Sequence, residues 1–350
     1  MEHIWKEEVL RLLRSTDQAE FIELLQLADR IRDEVVRKQV CVHGLIEFSN
    51  SCSSHCLYCG IRAENKNLQR YRLVPEDIAE VAITAANIHG YKMLVLQSGE
   101  DPWYSVDDLS WLVKEIRKQS KVLVFLSIGE RNVETYDRLY QAGARGMLFR
   151  FETSDPDLYR ILHPNSSLSL RLEHLREIQR IGYFVATGSL VGLPGQTAES
   201  LVNDLYLIRD LHPMMATIGP FIPSKNTPLC NESPGSIALT LRMIALLRLI
   251  YPKVRIPITT ALEKLGGLEV RERALLGGGN AFMLNLTPSH VRMHYEIYDG
   301  KNSTLGHIHN EESVHSLTHL ITSHGRNVCK GFGKDFTLSA KDMDAYCGIQ

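Results

Sequence analysis

The sequence lacks long hydrophobic runs. No stretch of its 350 residues approaches the roughly 18 consecutive apolar residues that a membrane span requires. The residues from Met1 to Glu7 also lack the apolar centre of a secretion signal. We therefore expect a cytoplasmic protein with no membrane partner.

An excess of charge of one sign is also missing. The chain has 39 basic and 41 acidic residues, which gives a net charge of −2. Because proteins that bind nucleic acids usually carry a strongly basic surface, this balance predicts no nucleic-acid partner. The 44% share of hydrophobic residues is typical of folded globular proteins and excludes disordered and collagen-like chains.

Cysteines are few, and most of them are scattered. An odd count of seven in a chain expected in the cytoplasm argues against a disulfide framework. Cys41, Cys230, Cys329 and Cys347 lie far apart in the sequence. The other three cysteines fall within eight residues, from position 52 to position 59, and mark a site.

Apolar runs alternate with amphipathic stretches along most of the chain. Helix signals between the runs include Pro75, near a first turn, and Gly182, just after a last turn. Eight runs are predicted as strands: 42–48, 92–97, 122–126, 146–151, 184–190, 216–221, 255–260 and 281–285. The pattern favours an α/β fold, namely a (βα)8 TIM-type barrel with an N-terminal helical extension. A doubly wound open sheet is the alternative that periodicity leaves open.

The barrel is expected to occupy one continuous part of the chain. We predict an N-terminal helical extension over residues 1–37, the barrel over 38–310, and a C-terminal cap or tail over 311–350. No low-complexity tract or polar linker divides the chain into two domains.

The cysteine-rich segment follows the first predicted strand, where a barrel has its functional face. Cys52, Cys56 and Cys59 present thiols at spacings of four and three. Three thiolates can hold three irons of a 4Fe-4S cubane, which normally takes four cysteines, so one iron stays open for a small molecule. A structural zinc site and inert buried thiols are the alternatives, but zinc needs a fourth ligand, and the spacing of His55 does not suit a closed site.

This motif, with Tyr58 before the last cysteine, resembles the radical S-adenosylmethionine (SAM) superfamily over about residues 35–300. The resemblance implies an enzyme with two cofactors, a 4Fe-4S cluster and SAM. In that family SAM chelates the open iron, and an electron from the cluster splits SAM into methionine and a 5′-deoxyadenosyl radical. The resemblance also implies that flavodoxin or ferredoxin donates the electron.

The resemblance further implies residues that contact SAM. Tyr58 would contact the adenine, and the segment at Ser98 resembles a Gly-Gly-Glu motif that receives the methionine amino group, with serine in place of the first glycine. Glu152 and Arg171 are expected to pair and to hold other polar groups of SAM. The full set is Tyr58, Ser98, Gly99, Glu100, Glu152, Arg171, Gly188 and Leu193. Ordinary turns, core packing and surface ion pairs are the alternative interpretations of these residues.

Longer strings narrow the resemblance to the HydE-type FeFe-hydrogenase maturases, which share a scaffold with methylornithine synthase and biotin synthase. Among them are Ile46 to Asn50, Leu96 to Pro102 and Val191 to Thr197. The resemblance implies a cysteine-bound small-molecule substrate in the barrel and other hydrogenase maturases as partners. The implied substrate contacts are Arg150, Thr259, Thr260 and Met283, with Tyr298 near the reaction site. For the threonine pair, a plain buried sheet position is the alternative.

Three other functions stay open. Biotin synthase holds a second cluster on interior strands, where this chain has no cysteine in predicted strands two to seven. A methylornithine synthase-like aminomutase should carry serine and aspartate after strand seven, where this chain has Thr260 and Glu263. An iron-sulfur carrier that does not cleave SAM is the third. Because no cysteine lies between Cys230 and Cys329, we predict a single cluster.

Overall fold

The strands form one parallel sheet. A computed structural model describes residues 5–303 and 308–330 of the chain. Its strands in these ranges are β1 Gln39–Ser49, β2 Met93–Ser98, β3 Leu123–Ser127, β4 Gly146–Leu148, β5 Phe184–Val191, β6 Met215–Pro220, β7 Ala281–Asn285 and β8 Asn327–Cys329. The order across the sheet is β6-β5-β4-β3-β2-β1-β7, every pairing is parallel, and β8 pairs with β1 outside this path.

Helices connect the strands and cover the outside of the sheet. Those of the described residues are α1 Lys6–Arg14, α2 Gln18–Val36, α3 Pro75–Asn87, α4 Val106–Gln119, α5 Val133–Ala142, α6 Pro156–Leu162, α7 Leu168–Ile181, α8 Ala198–Leu211, α9 Ile237–Ile250, α10 Thr260–Leu275, α11 Ser289–Arg292 and α12 Glu311–Ser323, with a 3₁₀ turn at Lys301–Ser303. In the described part of the chain, no helix has both the length and the apolarity needed to cross a membrane.

The two edges of the sheet meet through residues 255–258. The prediction of a regular strand over 255–260 is wrong, because this segment makes only single bridges, from Arg255 to Met215 and from Pro257 to Ala281. Pro257 has no N–H group to donate to a ladder, and α10 begins at Thr260. The bridges still link β6 to β7, so the predicted TIM-type fold is confirmed with an irregular seventh position.

Two further elements differ from the prediction. The strand expected over 146–151 ends at Leu148. The C-terminal part, expected to be helix and loop, contains β8, which brings the sulfur atoms of Cys329 and Cys41 to 2.7 Å. Residues 331–350 of the predicted tail lie outside the described residues. The division of the chain at residues 37 and 310 stays a prediction.

The N-terminal extension consists of two helices. Asp17 caps the second helix, α2, because its side chain accepts hydrogen bonds from the N–H groups of Ala19 and Glu20. Leu24 and Ala28 on the inner face of α2 are buried where this helix packs against α9. The helical character expected for this segment is therefore present, interrupted at residues 15–17.

The interior of the barrel has an apolar half and a polar half. Met93, Val95, Phe125 and Met215 fill the half near the amino ends of the strands. Polar side chains occupy the carboxyl ends, which is the functional side of TIM-type barrels. The cavity described below lies at this polar end.

Candidate active site

A cavity of about 360 Å³ lies at the carboxyl ends of the strands. Its wall brings together residues from every part of the barrel. Fourteen of the sixteen predicted site residues line it: Cys52, Cys56, Tyr58, Cys59, Ser98, Gly99, Glu100, Arg150, Glu152, Arg171, Thr259, Thr260, Met283 and Tyr298. Gly188 and Leu193 are not on the wall.

The cysteine loop lies directly on the end of β2. A Cβ atom on Gly99 would stand 2.2 Å from the Ser51 carbonyl oxygen and 2.7 Å from the Cys52 Cβ. Only glycine therefore permits this approach. The backbone N–H groups of Glu100 and Ser54 point at the Cys52 sulfur, at 3.3 and 3.4 Å, as suits a thiolate acceptor.

The three thiols need a metal to lose their protons at neutral pH. Burial, with a smaller contribution from Cys52, raises the pKa of Cys59 to about 12, and burial also raises the pKa values of Cys52 and Cys56. Iron ions displace such protons when they bind, so the donor set fits a cluster. Among the described residues, no three His, Cys, Asp or Glu side chains surround one point as ligands of a single ion. A cubane does not require that arrangement, because each cysteine binds a different iron.

The Glu100 carboxylate is fixed beside the cysteine loop. The Ser54 hydroxyl donates to one of its oxygens, and the Glu130 N–H donates to the other at 3.2 Å. A Cβ on Gly129 would stand 1.9 Å from the Glu100 side chain, so glycine is what admits the carboxylate there. The result is a rigid anion on the cavity wall.

Arg171 and Glu152 both line the cavity, but the predicted pair between them is wrong. Arg171 Nη1 lies 3.0 Å from Glu130, and its Nε donates to the Arg150 carbonyl at 2.8 Å. Glu152 instead pairs with Arg150, at 3.0 Å. Arg150 and Glu152 are two residues apart in the chain, and both side chains line the cavity.

Two predicted cofactor contacts lie away from the cavity for packing reasons. Gly188 has a φ of 152°, and a Cβ there would stand 2.0 Å from the Thr217 carbonyl oxygen, so the glycine serves the contact between β5 and β6. Leu193 is buried in an apolar cluster with Leu158 and Phe221. Tyr58 does line the cavity, and its hydroxyl is hydrogen-bonded to His163 Nε2 at 2.8 Å.

The deep wall contains two predicted residues, Thr260 and Tyr298, and one that the sequence analysis missed, Glu47. The hydroxyls of Thr260 and Tyr298 are 2.6 Å apart, and burial raises the pKa of Tyr298, so the phenol keeps its proton. Glu47 on β1 is fully buried, accepts a hydrogen bond from Asn285 at 2.8 Å and forms an ion pair with Lys301. A carboxylate within the apolar run of β1 is the sequence signal that could have identified Glu47.

Glu152 adopts a backbone conformation that is uncommon for a residue with a side chain. Its φ is 64°, and strain of this kind is typical of functional sites. Asp204 on α8 stabilises the segment after Glu152, because its carboxylate accepts a hydrogen bond from the Ser154 N–H at 2.6 Å. Burial raises the pKa of Asp204 to about 7.

This raised pKa predicts a pH-dependent effect of Asp204→Asn. The unfolded carboxyl titrates near pH 3.8 and the folded one near 7, so the stability contributed by its protonated form is present below pH 4 and lost by about pH 7. Asparagine does not titrate. Between pH 5.5 and 7 we expect the unfolding midpoint of the parent to fall by a few degrees relative to that of the variant. Above about pH 7 the difference between the two midpoints should stay constant.

The measurement is thermal unfolding of the anaerobic holoenzyme across this pH range. Asp210→Asn, on the exposed side of α8, is the matched control and should give a difference independent of pH. A pH-independent difference for Asp204→Asn would show that the Asp204 carboxyl is charged in the folded protein.

The comparisons with known proteins agree with this geometry. The profile of the radical SAM superfamily matches residues 46–208. The [FeFe] hydrogenase maturase subunit HydE of Thermotoga maritima is 46% identical over 297 residues, which is 84% of each chain. The 3-methylornithine synthase of Methanosarcina acetivorans is 30% identical over 287 residues, or 81% of this chain and 80% of that protein.

Solved structures show the same fold. The crystal structure of methylornithine synthase (PylB) superposes with a TM-score of 0.82 at 25% identity and covers 94% of this chain and 95% of its own. HydG, described as a maturase of the [FeFe]-hydrogenase, has a TM-score of 0.76 at 20% identity, covering 94% and 73% of the two chains. With relatives of this similarity along most of its length, the chain belongs to the radical SAM superfamily and is an enzyme whose cofactors are a 4Fe-4S cluster and SAM.

Proposed function

We propose that this enzyme is a HydE-type FeFe-hydrogenase maturase that acts on a small cysteine-bound substrate inside the barrel. The observation that carries the proposal is the 46% identity to the Thermotoga maritima HydE over 84% of both chains. The cavity supports it, because the residues implied as substrate contacts by the sequence resemblance line one continuous wall.

The upper part of the cavity is assigned to the cofactors. Cys52, Cys56 and Cys59 would hold the cluster, which supplies, when reduced, the electron that cleaves SAM. Glu100 would accept hydrogen bonds from the SAM amino group, and Arg171 would bind the SAM carboxylate. Tyr58, fixed by its bond to His163, would border the adenine. Ser98, Gly99 and Glu152 would complete this part of the wall.

The lower part is assigned to the substrate. Arg150 donates to the Ser189 carbonyl at 2.7 Å and keeps a charged head at the cavity, where it would bind an anionic group together with Thr259 and Thr260. Tyr298, which stays protonated, would donate a hydrogen bond near the reacting atoms. Met283 adds apolar surface that excludes water, and a confined site is what a reactive carbon radical requires.

The aminomutase function is less well supported by the cavity. The acid after predicted strand seven is Glu263, which is buried and paired with Arg271 at 3.2 Å, away from the cavity wall. No carboxylate from this position thus reaches the substrate region. The similarity to methylornithine synthase is explained by a shared scaffold.

Complementation tests the proposal. A hydrogenase-producing strain that lacks its HydE receives this chain, and hydrogen evolution is measured in cell extracts. We expect activity to return, and the Cys56→Ser variant to restore none. If the parent enzyme cleaves SAM but restores no hydrogenase, and instead converts lysine to 3-methylornithine, the maturase proposal is refuted in favour of the aminomutase.

The proposed partners follow from this function. A maturase hands its product to other maturation proteins, and its cluster takes electrons from a small donor, which we propose to be flavodoxin or ferredoxin. Hydrogen evolution that depends on adding this donor to the complemented extract would support the assignment.

A further inference from the structure

One arginine outside the cysteine motif holds both ends of the cysteine loop. Arg70 Nη1 donates to the carbonyl oxygens of Asn50 at 2.5 Å and Ile61 at 2.7 Å. Its Nη2 donates to the carbonyl oxygens of Arg62 at 2.6 Å and Asn65 at 3.2 Å. A single guanidinium therefore ties together the backbone before Cys52 and the backbone after Cys59.

Only arginine can make this set of bonds. The guanidinium presents five N–H donors in a rigid plane, whereas the lysine ammonium is a single point on a flexible stem. The described residues 50–65 contain no strand or helix, so no regular ladder of backbone hydrogen bonds orders this loop. Single backbone bonds, such as the one from the Ala63 N–H to the Ser54 carbonyl, hold parts of the loop, and the four Arg70 bonds link its two ends.

The neighbouring arginines have different surroundings. Arg62 also donates to loop carbonyls, those of Cys56 and His55, but lies 3.1 Å from the Glu64 carboxylate. Arg72 is bound to Asp101 at 2.7 Å. The hydrogen bonds of Arg70, in contrast, go to neutral carbonyl oxygens. Arg62 and Arg72 each contact a carboxylate that offsets their charge, whereas the partners of Arg70 are neutral.

A positive charge beside the cysteine loop would act on a cluster bound there. Two of the four carbonyls that bind Arg70 belong to Asn50, two residues before Cys52, and Ile61, two residues after Cys59. Reduction adds an electron to the cluster, and a nearby cation lowers the free energy of the reduced form. Local charge is one of the factors that set iron-sulfur potentials.

We propose that Arg70 is a positioning residue for the iron-sulfur cluster, which fixes the backbone of the cysteine loop and makes the cluster easier to reduce. The proposal concerns the cluster site and does not depend on the identity of the second substrate. A failed complementation would therefore leave it standing.

The test compares Arg70→Met and Arg70→Lys in the full, anaerobically reconstituted chain. Iron release to a chelator reports on the loop, and a redox titration followed by EPR gives the midpoint potential. We expect Arg70→Met to release iron at least about tenfold faster and to titrate at a more negative potential, since bonds and charge are both lost. Arg70→Lys keeps the charge, so it should release iron faster while its potential stays at the parental value.

Arg138→Met is the matched control, because Arg138 is an exposed arginine on α5 that contacts Asp107. It should change neither quantity. A parental potential or a parental rate of iron release in Arg70→Met would overturn the proposal. If Arg70→Met assembles no cluster, Arg70→Lys decides alone, and a parental rate of iron release in that variant overturns it.

Discussion

Replacing Cys56 with serine will leave the chain without its cluster and reduce 5′-deoxyadenosine formation to the level of a reaction without enzyme. Cys56 lies between the other two thiols on the loop and lines the cavity with them. A serine hydroxyl is a poor ligand for the iron of such a cluster, whose irons are held by thiolates. Without the cluster no electron reaches SAM.

The experiment measures iron and sulfide per chain after anaerobic reconstitution, and 5′-deoxyadenosine after addition of dithionite and SAM. Cys230→Ser is the matched control, because Cys230 is an exposed cysteine in the segment after β6. It should keep parental cluster content and turnover. Parental iron content or SAM cleavage in Cys56→Ser would remove this loop from the cofactor site.

The second large effect is expected for Arg171→Gln, which should retain the cluster but cleave SAM roughly 100-fold more slowly at low SAM concentration, equivalent to about 2.7 kcal/mol. Arg171 lines the cavity, its Nη1 lies 3.0 Å from Glu130 and 4.0 Å from Glu100, and its contact with the Phe149 ring at 3.6 Å fixes the guanidinium plane. A neutral amide cannot bind a carboxylate with the same charge-assisted bonds.

The difference in cleavage rate between Arg171→Gln and the parent should become smaller at higher SAM concentration, since it arises from weaker SAM binding. Arg180→Gln on the same helix, where Arg180 pairs with Glu177 at the surface, is the control and should behave like the parent. An Arg171→Gln enzyme with parental SAM dependence would place the SAM carboxylate elsewhere.

The parts of this site that the sequence could predict are local. Cys52, Cys56 and Cys59 lie within eight residues, and their spacing alone sets which chemistry they can support. The strand pattern likewise predicted the parallel barrel, because each buried strand is an apolar run of its own. The prediction of a strand over 255–260 was wrong because the apolar pattern does not show that Pro257 limits the hydrogen bonding of this segment.

The parts that could not be predicted depend on contacts between distant residues. Glu130 follows β3 and binds Arg171, and no periodicity relates the two positions. Lys301 reaches Glu47 across most of the chain length. Opposite charges at Glu152 and Arg171 suggested a pair, yet a nearer partner was available to each. Complementary charge alone does not identify partners; the packing of the barrel decides them.

The assigned chemistry depends on an iron that the protein leaves free for SAM. The most direct test is EPR spectroscopy of the reduced, reconstituted enzyme before and after addition of SAM. We expect about four irons per chain and a signal that changes its g values when SAM is added, because the ligands of one iron change. A signal that SAM does not alter, at full iron content, would mean that every iron is already held by the protein and would contradict the account.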